Sequence, residues 1–167
     1  MRTLPDGTQV LIRPITPSDK VRLSHALARL SGATIQKRFL TAKPRLGSSA
    51  LRYLTEVDGH DHIALVALLA DDPDSIVAVA RCVRLPDAPD TAEFAIVVGD
   101  LLQGRGLGSL LARELATAAR AAGIRRFSAI MQSENIAVRR LIANFTDTLA
   151  RDHVENGVRE VVFDLAA

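Results

Sequence analysis

Aromatic side chains are scarce in this chain: no tryptophan, one tyrosine and five phenylalanines among 167 residues. That argues against a stacking surface for nucleic-acid bases, which needs several exposed rings. Cysteine is limited to Cys82, which excludes an intrachain disulfide framework and fits a reducing compartment, the cytoplasm. No apolar run is long enough to cross a bilayer, and the opening Met1-Arg2-Thr3-Leu4-Pro5-Asp6-Gly7 lacks the apolar core of a secretory signal. Charge of one sign is lacking too. The 21 Lys and Arg against 19 Asp and Glu leave a net +2, too little to argue for nucleic acid or an anionic membrane as partner. Asp58, His60, Asp61 and His62 imitate a metal set but sit on one turn without a ligand from another element, so no metal is expected. With 48% apolar residues, the chain is long enough for one domain to bury a core unaided.

What is present reads as alternating strands and helices. Pro5-Asp6-Gly7 and the alternation at residues 9–15 predict an opening hairpin. Thr16-Pro17-Ser18-Asp19 predicts a helix start, continued to about Leu30 through Val21, Leu23 and Leu27. A second helix is expected over 33–40, a loop over 43–49, and a third helix from Ser48 or Ser49 to about Val57. Strands are expected at 63–69, 75–84 and 91–98, with a proline- and aspartate-rich loop at 85–90. Leu107, Leu110, Leu111, Leu115, Ala118 and Ala122 fall at helical spacing, and Gly123 is placed to end that helix. A strand at 126–132, a helix at 134–144 and a closing strand at 157–165 complete the series. Cys82 is expected as a buried small hydrophobe, Arg81 and Arg84 on a solvent-facing strand side, and Arg139 and Arg140 on the wet face of the last helix. The fold class is α+β (mixed α/β), with a mostly antiparallel sheet and one parallel unit around the glycines.

Those glycines carry the chemistry. Gln103-Gly104-Arg105-Gly106-Leu107-Gly108 follows a strand and precedes the longest helical pattern. Glycines allow close backbone approach, and the first N–H groups of a helix have no internal partner, so the turn suits a phosphate or pyrophosphate. A Walker loop needs a lysine after its last glycine; here Ser109-Leu110 follows. A dinucleotide fingerprint needs a third glycine three positions after the second, where Ser109 stands.

The stretch resembles the Q/R-x-x-G-x-G/A motif of the GNAT superfamily, the acyl-CoA-dependent N-acetyltransferases. Ile12-Arg13-Pro14-Ile15-Thr16-Pro17-Ser18-Asp19 is similar to that superfamily's first strand and helix start, and Ser133-Glu134-Asn135 to its later strand-to-helix junction. Thr34-Ile35-Gln36-Lys37-Arg38-Phe39-Leu40 and Leu54-Thr55-Glu56-Val57-Asp58 resemble the bacterial protein lysine acetyltransferase (Pat) subgroup. The resemblance covers about four-fifths of the chain, to roughly Leu141. It implies one GNAT domain over 1–167, with a central, mostly antiparallel, splayed sheet flanked by helices, and acetyl-CoA (coenzyme A) as cofactor. The backbone of Ile96, Val97 and Val98 would pair with the pantetheine arm. Main-chain N–H groups from Gln103 through Gly104, Arg105, Gly106, Leu107, Gly108 and Ser109 would hold the pyrophosphate. Asn135 would lie near the thioester, and is equally expected to cap its helix.

Acetyl transfer requires that a protonated amine lose a proton, and that the acetyl oxygen find a donor, for which a main-chain N–H at Val97 or Val98 is expected. Glu93 is the expected base. It shares a strand face with Ala95 and Val97, a small apolar setting expected to raise its pKa, and it aligns with the base of the Pat subgroup. The tyrosine many relatives carry seven residues after the asparagine is Ile142 here, and the following Gly-Phe pair is replaced by Asn144-Phe145-Thr146. Tyr53 belongs to the substrate side. The acceptor is therefore expected to be an amine, a protein lysine or a small molecule. The alternative is a noncatalytic acetyl-CoA-binding sensor or partner module. The oligomeric state stays open, and the additional regulatory domain of many Pat relatives is expected to be absent.

Overall fold

The computed structural model describes residues 1–39, 46–146 and 148–165. Eight strands form one sheet in the order β1-β2-β3-β4-β5-β6-β8-β7: β1 Arg2–Thr3, β2 Gln9–Pro14, β3 His62–Leu69, β4 Ile76–Leu85, β5 Ala88–Val98, β6 Arg126–Gln132, β7 Arg151–Glu155 and β8 Val158–Asp164. Every pairing is antiparallel except β5 with β6. The helices are α1 Lys20–Ala28, α2 Gly32–Phe39, α3 Ser48–Thr55, α4 Leu107–Ala121 and α5 Ile136–Ala143.

The central strand β3 is buried along nearly its whole length, because helices cover both faces of the sheet there. Alternation sends Ala64, Val66 and Leu68 to one face, where with Ile15, Leu23, Ile76 and Val79 they pack against Leu27, Leu51 and Leu54 of α1 and α3. Ile63, Leu65 and Ala67 face the other way, onto the core built by Leu107, Leu111, Leu115 and Ala119 of α4. That helix buries residues three and four apart, so its apolar stripe follows the helical period. Gly123 ends it at φ 84°, and Ile124 N–H donates to the Ala119 carbonyl (3.0 Å).

The expected first helix opens instead as a short 3-10 turn, Pro17–Asp19, before α1. Asp19 is fully buried there. Its carboxylate accepts from both Arg13 Nη atoms (2.7 and 2.8 Å) and from Thr16 N–H (2.9 Å). Gly47, not a serine, caps α3. Residues 40–45, which include the end of the expected second helix and the first part of the expected loop, lie outside the described residues. Two hairpins depart from expectation. The strand read as starting at Thr91 begins at Ala88, with only Pro86-Asp87 between it and β4, because Leu85 and Ala88 already pair. The strand β7 was not expected at all; it returns to β8 through Asn156 (φ 49°) and Gly157 (φ 77°), the pair of left-handed residues that a tight hairpin turn requires. No helix among the described residues is long and apolar enough to cross a membrane.

Candidate functional site

The parallel pair β5 and β6 is joined only through Thr91–Arg126, Ala92–Phe127 and Glu93–Ser128. Beyond that point the strands part company. Residues 94–98 stay in register with β4, from Phe94–Cys82 to Val98–Ala78, while residues 129–132 stay with β8. One backbone edge of β5 is therefore left without a strand partner along the stretch where Ile96, Val97 and Val98 lie. A cavity of 620 Å³ opens in this gap, within the range of small-molecule sites.

The glycine turn continues the same cavity. Gly104 and Gly106 have φ of 75° and 86°, left-handed values that an L side chain adopts only with strain. They turn the chain so that Leu107, Gly108 and Ser109 form the first turn of α4, whose N–H groups have no partner inside the helix. Neighbours brace the turn. The side-chain amide of Gln103 donates to the Val98 carbonyl (3.0 Å) and to Thr34 Oγ1 (3.1 Å), tying the turn to β5 and α2. The Arg105 guanidinium pairs with Asp6 (3.0 Å), and Pro5 lies against Gly106. The opening hairpin thus serves as a backstop for the glycine turn.

Of the residues singled out from sequence, Glu93, Ile96, Val97, Val98, Gln103, Gly104, Gly106, Gly108, Ser109 and Asn135 line this one cavity. Arg105 and Leu107 do not: Arg105 points to Asp6, and Leu107 is fully buried in the core. Asn135 is buried at 6% exposure, and its Oδ1 accepts from Val138 N–H (3.3 Å), capping α5. Glu93 is exposed, so the apolar burial expected from its strand face is not found. The strands diverge beside it, and its charge falls on the half-buried Arg38 of α2.

Sequence reasoning missed the cover of the cavity. Thr34, Lys37 and Arg38, three and four residues apart, present one face of α2 to it. Asp100 holds the start of that helix. Its carboxylate accepts from Ser31 N–H (3.0 Å), Ser31 Oγ and Thr34 Oγ1 (both 2.7 Å), contacts that hold its pKa down to about 2. Arg140, expected on a wet face, is exposed and also lines the cavity. Ile142 turns away into the core at 4% exposure.

Arg81 corrects another expectation. It is buried at 7% exposure, donating through Nη1 to the Leu54 carbonyl (3.2 Å) and to His62 Nε2 (3.0 Å). Burial, with Arg38 adding repulsion, lowers its pKa to about 10. Arg84 is partly covered too, reaching Asp61 (2.7 Å) and the Ala122 carbonyl (2.7 Å). Asp58 accepts from the N–H groups of His60, Asp61 and His62; among the described residues no cluster suited to a metal ion occurs.

Comparison with known proteins agrees with this geometry. Residues 33–145 match the family described as Acetyltransferase (GNAT) family. The chain is 34% identical over 136 residues to the acetyltransferase Pat of Mycolicibacterium smegmatis, covering 81% of this chain and 40% of that relative. It is 32% identical over 145 residues to an acetyltransferase of Pseudomonas aeruginosa, covering 84% and 76% of the two. The chain thus spans less than half the length of the Pat relative. The crystal structure of the GNAT domain of S. lividans PAT superposes with a TM-score of 0.88 at 32% identity, over 98% of this chain and 95% of that one. A matched family, and a sheet that splays beside a glycine turn, place this chain in the acetyltransferase (GNAT) family, with its mixed α/β fold.

Proposed function

We propose that this chain is one N-acetyltransferase domain that moves an acetyl group from acetyl-CoA to a primary amine by direct attack, with Glu93 as general base. The observation that carries the reading is the continuity of the gap between β5 and β6 with the glycine turn.

The residues present fit the cofactor. An extended arm containing amides needs donors and acceptors once buried, and the unpaired edge at Ile96, Val97 and Val98 offers them. A pyrophosphate needs N–H groups and positive potential, which the backbone from Gln103 to Ser109 offers at the start of α4. Gly108 has ordinary contacts with Val98 and Leu141 in view (3.5 Å from the point a Cβ would occupy), so the turn sits close to the mouth of the gap. Asn135 reaches the same cavity from the start of α5. When bound, acetyl-CoA supplies an activated thioester as acyl donor.

The chain's own groups then handle protons and charge. An amine arrives mostly protonated at neutral pH. The Glu93 carboxylate takes that proton, directly or through a water, and its exposure lets the proton pass on to solvent. The N–H of Val97 or Val98 donates to the acetyl oxygen as it gains charge. Ile142, packed in the core, offers no proton to the departing sulfur, so water serves that role. A protein lysine is the favoured acceptor, by likeness to the relative named Pat.

Glu93→Gln tests the assignment. Turnover should fall at least about a hundredfold, while the acetyl-CoA dissociation constant, followed by calorimetry, stays within about twofold because the substitution leaves the backbone sites intact. Equal turnover for the two proteins would remove Glu93 from the mechanism. The buried Ile142 also favours a second reading, a binding module without turnover. Tight acetyl-CoA binding with no transfer to proteins, polyamines or aminoglycosides would establish that reading instead.

A further inference from the structure

Three of the 21 basic residues are lysines, Lys20, Lys37 and Lys43, and the rest are arginines. An arginine stays protonated in proteins, whereas a lysine that loses its proton becomes a nucleophile. Lysine is therefore the side chain that a bound acyl thioester would modify. Lys43 lies outside the described residues. Lys20 stands on α1, where Glu56 holds its ammonium (2.5 Å). Lys37 is placed differently. It is exposed on α2 and lines the same cavity as Glu93, Ile96 and Val98. Among the described residues no carboxylate or carbonyl holds its ammonium.

Its neighbours on α2 fix where along β5 it stands. Three residues earlier, Thr34 accepts from the Gln103 amide (3.1 Å), which also donates to the Val98 carbonyl (3.0 Å). The start of α2 is thereby tied to the Val98 end of the strand. The charge of Glu93 acts on the next residue, Arg38, so the helix leads towards the Glu93 end. Lys37 is rooted between these two points, on a long and flexible stem. In the proposed reaction that interval is where the amine, its base Glu93 and the oxygen donors at Val97 or Val98 must meet.

Building on the acetyltransferase reading, we infer that Lys37 is a self-acetylation site: with no external amine in the cavity, its own Nζ receives the acetyl group. Glu93 takes one proton from the Lys37 ammonium, and the freed Nζ attacks the thioester carbonyl carbon. The N–C bond forms as the C–S bond breaks. The next nitrogen proton passes through water to the departing sulfur, leaving an acetyl-lysine and free coenzyme A. An amide is not an activated acyl group, so the acetyl stays on Lys37. The modified side chain is neutral and stands where an acceptor would enter. Self-acetylation is thus a stop on idle cofactor, not a step of transfer.

The test is to incubate the full chain with acetyl-CoA and no acceptor, and to map acetylated residues by mass spectrometry. Lys37 should gain one acetyl group at a rate independent of protein concentration, at least about a hundredfold faster than Lys20, which lacks a neighbouring thioester. Glu93→Gln should slow that gain at least about tenfold, and Lys37→Arg, which keeps the charge, should abolish it. Coenzyme A, which carries no acyl group, should also slow the labelling of Lys37 by trinitrobenzenesulfonate and leave that of Lys20 unchanged. Equal acetylation of Lys37 and Lys20, a rate that rises with protein concentration, indifference to Glu93→Gln, or absence of coenzyme A protection would each overturn the proposal. An unmodified Lys37 in a chain that acetylates external amines would overturn it alone. Protection by coenzyme A with no acetylation of any amine would remove the acetyltransferase reading as well.

Discussion

Cys82 and Arg81 are neighbours on β4 with opposite burdens. Cys82 points into the α4 core with no exposure, and burial pushes its thiol up to about 12. The thiolate, which is the reactive form, is then nearly absent at neutral pH. In the native protein an aromatic disulfide reagent at pH ~8 should label Cys82 at least about a hundredfold more slowly than in denaturant. Rapid labelling of the native chain would show that this core opens often. The burial of Cys82 was legible from its apolar strand setting. That of Arg81 was not. Strand alternation places a residue on a face, but only the arrival of α3 and Arg38 over that face decides whether the residue meets water.

At the level of elements, α2 is the least self-sufficient part of the site. Its start is held by Asp100, which gathers Ser31 and Thr34, and by Gln103, which reaches Thr34 from the glycine turn. Asp100→Ala removes the acceptor for three hydrogen bonds at once. The acetyl-CoA dissociation constant should rise by about three- to thirtyfold, from bonds that are each worth about 1 kcal/mol in part-exposed settings. Global stability should fall much less than affinity, and amide exchange should quicken in α2 before it does in α4. Unchanged affinity and exchange would mean that α2 keeps its place without Asp100. Local signals explain what was legible among these elements. The glycine turn and the helix after it follow from spacing in a single stretch of chain. The cover provided by Thr34, Lys37 and Arg38 depends on where α2 docks, which no local pattern encodes. The hairpin of β7 and β8 was legible and overlooked: Asn156-Gly157 is a strong turn signal, but the polar, exposed residues of β7 offer no apolar alternation.

For the whole molecule, the sheet divides two cores, and the smaller one depends on a buried ion pair. Asp19 and Arg13 link β2 to the start of α1, whose Leu23 and Leu27 complete that core. The paired guanidinium, with help from Thr16, lowers the Asp19 pKa from an ordinary 3.8 to about 2. A carboxylate depressed on folding contributes stability that is fully present above its unfolded value and is lost as the pH falls through its folded value. A drop of this size corresponds to about 2 kcal/mol. Asp19→Asn should therefore unfold at lower urea than the parent at neutral pH. The gap between their unfolding free energies should hold down to pH ~5, then shrink steadily as the pH falls through ~2, the folded value of Asp19, below which the parent's carboxyl becomes as neutral as the amide. A gap that stayed constant across that window would locate the cost in packing around residue 19 and not in its charge. The same window should leave the glycine turn and the gap intact until the helices over the smaller core loosen, because among the described residues the other core, on α4, contains no such pair. Acid should thus release α1 and its neighbours first, before the face that carries the glycine turn.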